Sequence, residues 1–327
     1  MNPFQYIRAS SQRAAIAAIP KNGSAAFLAG GTNLIDLMKS GVTTPEKLVD
    51  INNLPMNTIV ETATGVRIGA LVKNSTLAEH PVIVKKYPLL SKALLAGASP
   101  QLRNMATVGG NMLQRTRCHY FYDVAMACNK RVPGSGCSAI GGYTRMHAIF
   151  GTSEKCIAVH PSDMCVALVA LDATVIVAGP KGERKIPFAD FHRLPGNEPQ
   201  KDNTLLPGEL ITAVDLPVAN FPTNTAYLKL RDRASYAFAL ISVAAAVQLD
   251  GNNLKTVRLS MGGVAHKPWR LREAELFLQG KPATEASFKA AAVLAMKGAK
   301  SFGDNDFKLD MAPAAIVEAL KNAASKV

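Results

Sequence analysis

Apolar positions along this chain come in short bursts separated by polar turns, not in long periodic runs. Residues 25–29, 47–51 and 66–71 are continuous enough in apolar and β-branched side chains to predict buried strands. Residues 11–19, 34–39 and 87–96 carry apolar side chains at helical spacing. Ser10 is a candidate cap for the first of these and Pro20 its stop, and Pro88 opens the third in the first-turn position that proline favours. Further on, 163–171 reads as a helix and 173–178 as a strand. A polar loop covers 196–203, and a strand at 210–216 ends at Pro217. Pro217, Pro222 and Asn224 mark a boundary near 218–226. Beyond it, strands at 241–249 and 256–261 join through Asp250-Gly251, a hairpin signal, and helices follow at 268–278, 284–297 and 312–324. Short strands and helices in this mixture predict an α+β fold. One stretch, roughly 113–157, has no clear period. It carries loop composition such as Val132-Pro133-Gly134-Ser135-Gly136, and a coreless loop of that length needs a function or a staple.

Composition narrows the class. A chain of 327 residues, 48% apolar and 19% charged, is long enough for two domains and too apolar for disorder. No apolar run reaches the length of a membrane span. The opening Met1-Asn2-Pro3-Phe4-Gln5-Tyr6-Ile7-Arg8 has no apolar segment of the signal-peptide kind behind it, so export is expected only when folded onto a partner that carries an address. The net charge of +13 raises nucleic acid as a partner. The cations are scattered in short groups and aromatics are few, so no stacking platform forms. The expectation is no nucleic acid, with an acidic partner subunit explaining the charge at least as well.

Two glycine pairs carry the first candidate chemistry. Leu28-Ala29-Gly30-Gly31-Thr32-Asn33-Leu34 puts a diglycine between a strand and a helix, where bare backbone N–H groups can face a phosphate. Alone, it reads equally well as a tight turn, and it lacks the Gly-x-Gly-x-x-Gly spacing of a Rossmann site. A second loop, Gln101 to Asn111, contains Arg103, Thr107, Gly109, Gly110 and Asn111, and a pair of such loops can grip one diphosphate from both sides.

The cysteines carry the second. Four of five, Cys118, Cys128, Cys137 and Cys156, fall within 39 residues, separated by nine, eight and eighteen others. That matches neither a ferredoxin nor a zinc-finger spacing. Ordinary core cysteines, disulfides, a zinc staple and a cluster stay open on spacing alone. Four thiolates can tie a coreless loop, because metal bonding supplies the missing folding energy. Cys165 lies in an apolar helical stretch and reads as core. Arg115, Arg117, Lys130 and Arg131 lie close to the cysteines, where cations would raise the potential of a negatively charged cluster.

Taken together, Ala29-Gly30-Gly31-Thr32, the Arg103 to Asn111 segment, Pro161-Ser162-Asp163, Leu205-Leu206-Pro207-Gly208-Glu209-Leu210 and Tyr227-Leu228-Lys229-Leu230-Arg231-Asp232-Arg233 resemble the FAD-binding medium subunit of the molybdenum hydroxylases, the xanthine dehydrogenase and carbon monoxide dehydrogenase family. The resemblance runs from about Phe4 onward. It implies a vanillyl-alcohol-oxidase (PCMH) type FAD-binding domain of two subdomains over 1–220, with 113–157 as an insert, and a smaller α+β domain over 221–327. It implies FAD on residues 28–34, on Arg103, Thr107, Gly109, Gly110 and Asn111, and on Asp163, Leu206 and Lys229. The insert is similar to that of a subgroup, the periplasmic three-subunit aldehyde oxidoreductases, where four cysteines carry a 4Fe–4S cluster. Cys118, Cys128, Cys137 and Cys156 match them.

The same resemblance implies an electron-transfer role beside a large molybdopterin-binding subunit and a small 2Fe–2S subunit, with an external acceptor. No general acid or base is expected on this chain. Periplasmic location follows if a partner carries the export signal, and cytoplasmic location if none does. A zinc- or cluster-stapled scaffold and a stand-alone flavin reductase or oxidase are the rival readings.

Overall fold

The protein is described by a computed structural model over residues 1–20 and 24–325. The chain begins with a three-stranded parallel sheet built by β1 (Gln5–Arg8), α1 (Gln12–Ala17), β2 (Ala25–Leu28), α2 (Leu34–Lys39) and β3 (Lys47–Asp50), in the order β1-β3-β2. Ser11, not Ser10, caps α1, accepting from the Ala14 amide at 3.1 Å. The second sheet starts with the hairpin β4 (Ile59–Thr62) and β5 (Gly65–Gly69). Helices follow: α3 (Asn74–Glu79), α4 (Pro81–Lys86), α5 (Pro88–Ala96), α6 (Pro100–Met105), α7 (Val108–Met112), α8 (His119–Tyr122) and α9 (Asp163–Ala170). Strands β6 (Thr174–Gly179) and β7 (Gly182–Pro187), the short helix α10 (Phe188–Phe191) and β8 (Leu210–Pro217) complete an antiparallel sheet in the order β4-β5-β8-β6-β7.

The third sheet, order β12-β11-β10-β9, is built by β9 (Thr225–Leu230), β10 (Ile241–Asp250), β11 (Asn253–Gly262) and β12 (Trp269–Arg270). Asp250 and Asn253 close the β10–β11 hairpin, with Gly251 at φ +59°. Helices α11 (Arg272–Leu278), α12 (Glu285–Ala295) and α13 (Phe307–Ala324) pack beside it. Strand β10 shows why the two halves hold together. Val243, Ala245 and Val247 face the core shared with α12 and α13. Ala244 and Ala246 face the core shared with α5 and α9. Every residue of α9 is buried, as its lack of a polar face requires.

Several expectations need correction. The segment 101–111 is not a loop but two short helices, α6 and α7, hinged at Ala106-Thr107. Residues 268–278 do not form one helix: Trp269–Arg270 pairs with β11 before α11 begins. Helix α13 begins at Phe307, not at 312. Pro313 lies inside it. Strands β1, β4, β7 and β9 were not anticipated as elements, and each is an edge of its sheet. The insert 113–157 holds one short helix and two isolated bridges, Cys128 to Cys137 and Ser153 to Cys156.

Candidate functional site

The two diglycine segments meet. A Cβ on Gly30 would lie 2.0 Å from the Met105 carbonyl oxygen, so only glycine lets the first turn rest on the end of α6. Gly31 follows in the left-handed region at φ +72°. Among the described residues, the amides of Gly31, Thr32, Asn33 and Leu34 have no intramolecular acceptor, the state of a first helical turn. The second pair behaves differently. The Gly109 amide donates to the Ala70 carbonyl at 2.8 Å, and the Gly110 amide to Thr107 Oγ1 at 3.3 Å. Its amides are spent, and its contribution is space. A Cβ on Gly110 would meet only Thr107 Oγ1, at 3.1 Å, and otherwise stand in the open.

Around these turns lies a cleft of two lobes, with volumes of about 640 and 280 Å³. Thr32, Asn33 and Gly110 line both lobes and form the waist. Asn33 Oδ1 accepts from the Arg115 amide at 3.0 Å, while its buried Nδ2 has no partner among the described residues. A buried donor left open at a waist flanked by free amides suits an anionic acceptor. The smaller lobe adds Ala29, Gly30, Gly31, Leu34, Thr107 and Gly109, and the larger adds Arg103, Asn111, Asp163 and Lys229. Arg103 also braces the wall, donating to the Gly97 carbonyl at 2.8 Å. Leu28 lies against Gly31 and lines neither lobe, and Leu206 stands apart, 54% exposed. The sequence reading missed Glu209, Leu210 and Ile211 in the smaller lobe and Tyr236 and Phe238 in the larger. Glu209 lay within a quoted motif, whereas Tyr236 and Phe238 carried no signal.

Asp163 is not the cap of α9. Ser162 is, accepting from the Cys165 amide at 3.1 Å. Asp163 is thereby free to receive Lys229 Nζ at 2.8 Å and the Tyr227 hydroxyl at 2.7 Å. Burial and the Asp163 charge push the Tyr227 phenol well above its ordinary range, so it stays a donor.

The four insert cysteines line one small cavity and pack in one cluster with Phe121 and Ile157. All are free thiols. Burial pushes Cys118 up to about 12 and Cys156 up to about 11. Both therefore stay protonated at neutral pH unless a metal supplies positive charge. Among the described residues, the one group of three metal-type ligand atoms mutually within 4.8 Å is His160, Cys165 and His192, so no three insert thiols are that close. Ligands of one zinc, each about 2.3 Å from the ion, would be. The four thiols are therefore not drawn together as the ligands of one zinc would be. Cys165 is fully buried, as expected of a core thiol, but in contact range of two imidazoles.

The nearby cations are compensated. Arg115 and Lys130 both pair with Asp202, Arg115 at 2.8 Å. Burial pushes Asp202 upward, but Lys130 and Arg115 outweigh it and hold its carboxyl well below the usual range. Arg117 pairs with Asp36 at 3.0 Å, and Arg131 binds carbonyls of the insert, including Phe121 at 2.7 Å. Beside Asp202, burial pushes His192 and His266 down to about 4 and His160 well below its ordinary value, so all three are neutral.

Comparison with known proteins agrees with this architecture. Residues 2–219 match the FAD binding domain in molybdopterin dehydrogenase, and residues 226–323 match the CO dehydrogenase flavoprotein C-terminal domain. The chain is 49% identical to the aldehyde oxidoreductase FAD-binding subunit PaoB of Escherichia coli, over 99% of each. It is 31% identical to the glyceraldehyde dehydrogenase medium chain of Sulfolobus acidocaldarius, over 85% of this chain and 82% of that one. In structure it superposes on a chain of carbon monoxide dehydrogenase from Hydrogenophaga pseudoflava with a TM-score of 0.77 at 27% identity, covering 98% of this chain and 97% of that chain. An α+β FAD-binding subunit of the molybdenum hydroxylase family is therefore what this chain is.

Proposed function

We propose that this subunit carries electrons from the molybdenum and 2Fe–2S subunits of an aldehyde-oxidising heterotrimer, through FAD in the two-lobed cleft, to an external acceptor. The observation that carries the reading is the waist. Free amides at residues 31–34 and the unpartnered Asn33 Nδ2 stand opposite the open face of Gly110, between lobes large enough for the two ends of a dinucleotide. Kinship with an aldehyde oxidoreductase FAD-binding subunit supports the aldehyde.

Residues 31–34 hold the diphosphate, and Gly110 admits it without a side chain in the way. Lys229 brings a positive charge into the larger lobe, fixed in place by Asp163, which Tyr227 also holds. Leu210 and Ile211 give the smaller lobe an apolar wall against water. FAD itself, once bound, supplies the redox chemistry. The chain's own share is binding, orientation and electrostatics, and no side chain here moves a proton of the aldehyde.

The cysteine cage holds a 4Fe–4S cluster on Cys118, Cys128, Cys137 and Cys156. Four thiols lining one cavity, with no three of them grouped as the ligands of one zinc would be, support this. The subunit reaches the periplasm folded onto a signal-bearing partner and stays cytoplasmic where no partner has such a signal, and fractionation of cells with and without that partner tests it. The main test is purification of the complex without oxygen, with subunit identification and flavin, iron and molybdenum assays. FAD at one per chain with iron beyond that of the 2Fe–2S subunit is expected. Flavin-free protein that refuses FAD on reconstitution would overturn the reading, and a zinc-loaded insert would replace it with the scaffold.

A further inference from the structure

His147 is buried in the insert, and its Nε2 lies 3.1 Å from Cys118 Sγ. Its other ring nitrogen, Nδ1, has no partner among the described residues. Its backbone is pinned: Lys308 Nζ donates to the His147 carbonyl at 2.8 Å, and Asn305 to the same carbonyl at 3.3 Å. Cys118 differs from the other insert thiols in where it opens. It borders a cavity of about 190 Å³ whose other walls include Arg117, Met146, Ser162, Asp163 and Phe238, all of which also line the larger lobe of the flavin cleft.

We propose that His147 sets the electron affinity of the iron–sulfur site by donating its Nε2 proton to Cys118, the ligand that faces the flavin cleft. This rests on the reading that the insert holds a cluster. A ligating thiolate only accepts hydrogen bonds, so the nitrogen facing it at this distance carries the proton, while Nδ1 makes no hydrogen bond among the described residues. A cluster held by these thiolates would take up and release one electron. No bond forms or breaks, and the proton stays on Nε2. The donor stabilises the sulfur more when the site holds the extra electron, so it raises the reduction potential. Cations were the expected tuning device. Arg115 and Lys130 share Asp202 and Arg117 pairs with Asp36, while the His147 N–H is aimed directly at one sulfur.

The test is a redox titration of the intact complex followed by EPR, comparing the parent with His147→Phe and His147→Gln. Loss of the donor in His147→Phe is expected to shift the reduction equilibrium about tenfold against the reduced form, about 59 mV more negative. His147→Gln keeps an N–H and is expected to recover at least half of that shift. An unchanged potential in His147→Phe with iron retained overturns the inference. Should His147→Phe fail to hold iron, the unaltered complex labelled with ¹⁵N-histidine decides by pulsed EPR. A histidine nitrogen coupled to the reduced cluster supports the bond, and its absence refutes it. An unaltered complex that holds no cluster iron on this subunit is a separate result, which overturns the cluster reading itself.

Discussion

Lys229 and Asp163 form an ion pair at 2.8 Å between strand β9 and the first turn of α9, with side chains only 4% and 8% exposed. Each is expensive to bury alone. Lys229→Met is expected to cost about 3–5 kcal/mol, because it strands a buried carboxylate. The double variant with Asp163→Asn should cost less than the two single changes added together. Urea unfolding of the apoprotein measures both terms, and additive costs would mean the pair is not coupled.

Gly110→Val separates folding from cofactor binding. The new side chain stands in the cleft and meets only Thr107 Oγ1 nearby. The melting temperature of the apoprotein should stay within a few degrees of the parent, while FAD affinity falls at least about tenfold, the cost of a clash worth about 1.4 kcal/mol. Flavin fluorescence titration reads the affinity directly, and unchanged binding would place the diphosphate elsewhere.

Cys137→Ser should drain iron from the insert and loosen residues 113–157, leaving most of the FAD bound, because metal bonding supplies that loop's folding energy. Iron per complex and hydrogen exchange over the insert are the two readouts. Full iron occupancy would show that Cys137 is not a ligand.

Asp202→Asn removes the shared partner of Arg115 and Lys130, and the Lys130 side chain is only 1% exposed. A drop of about 3–5 kcal/mol in unfolding free energy is expected, since a buried ammonium is left uncompensated. Lys130→Met in the same background should restore part of it.

Acid should weaken the protein before any carboxylate titrates. His192 and His266 ionise near 4 when folded and His160 is also held well below its ordinary value, against about 6.5 unfolded. Their stability is fully present above pH 6.5. Below it the unfolded chain takes up protons first, and stability falls until the folded form also titrates, near pH 4. Each contributes a slope of up to about 1.4 kcal/mol per pH unit. Urea unfolding at pH 7, 6 and 5 checks this, and His192→Phe should make the slope shallower by about one proton.

Much of this molecule could be read from its residues, and the omissions share a cause. Central strands such as β3, β6 and β10 are apolar on both faces and announced themselves. The overlooked β1, β4, β7 and β9 lie at sheet edges, and in the first three half or more of the strand meets water, so alternation fades. The diglycines of 30–31 and 109–110 were visible as a pair, but their different jobs were not. Whether an amide is free depends on Ala70, forty residues away in sequence from Gly109–Gly110 and brought close by β5. The role of Asp202 was hidden for the same reason, since its partners Arg115 and Lys130 are distant in sequence. His147 looked like any lone histidine until the fold set it beside Cys118.

Asn305 and Lys308, at the start of α13, hold the carbonyls of His147 and Ala148 across 157 to 161 residues of chain. The thiol-bearing loop leaves the ribosome long before those two anchors are made. Its final shape therefore has to wait for them, and the last helix of the chain works as a latch on a segment made long before it.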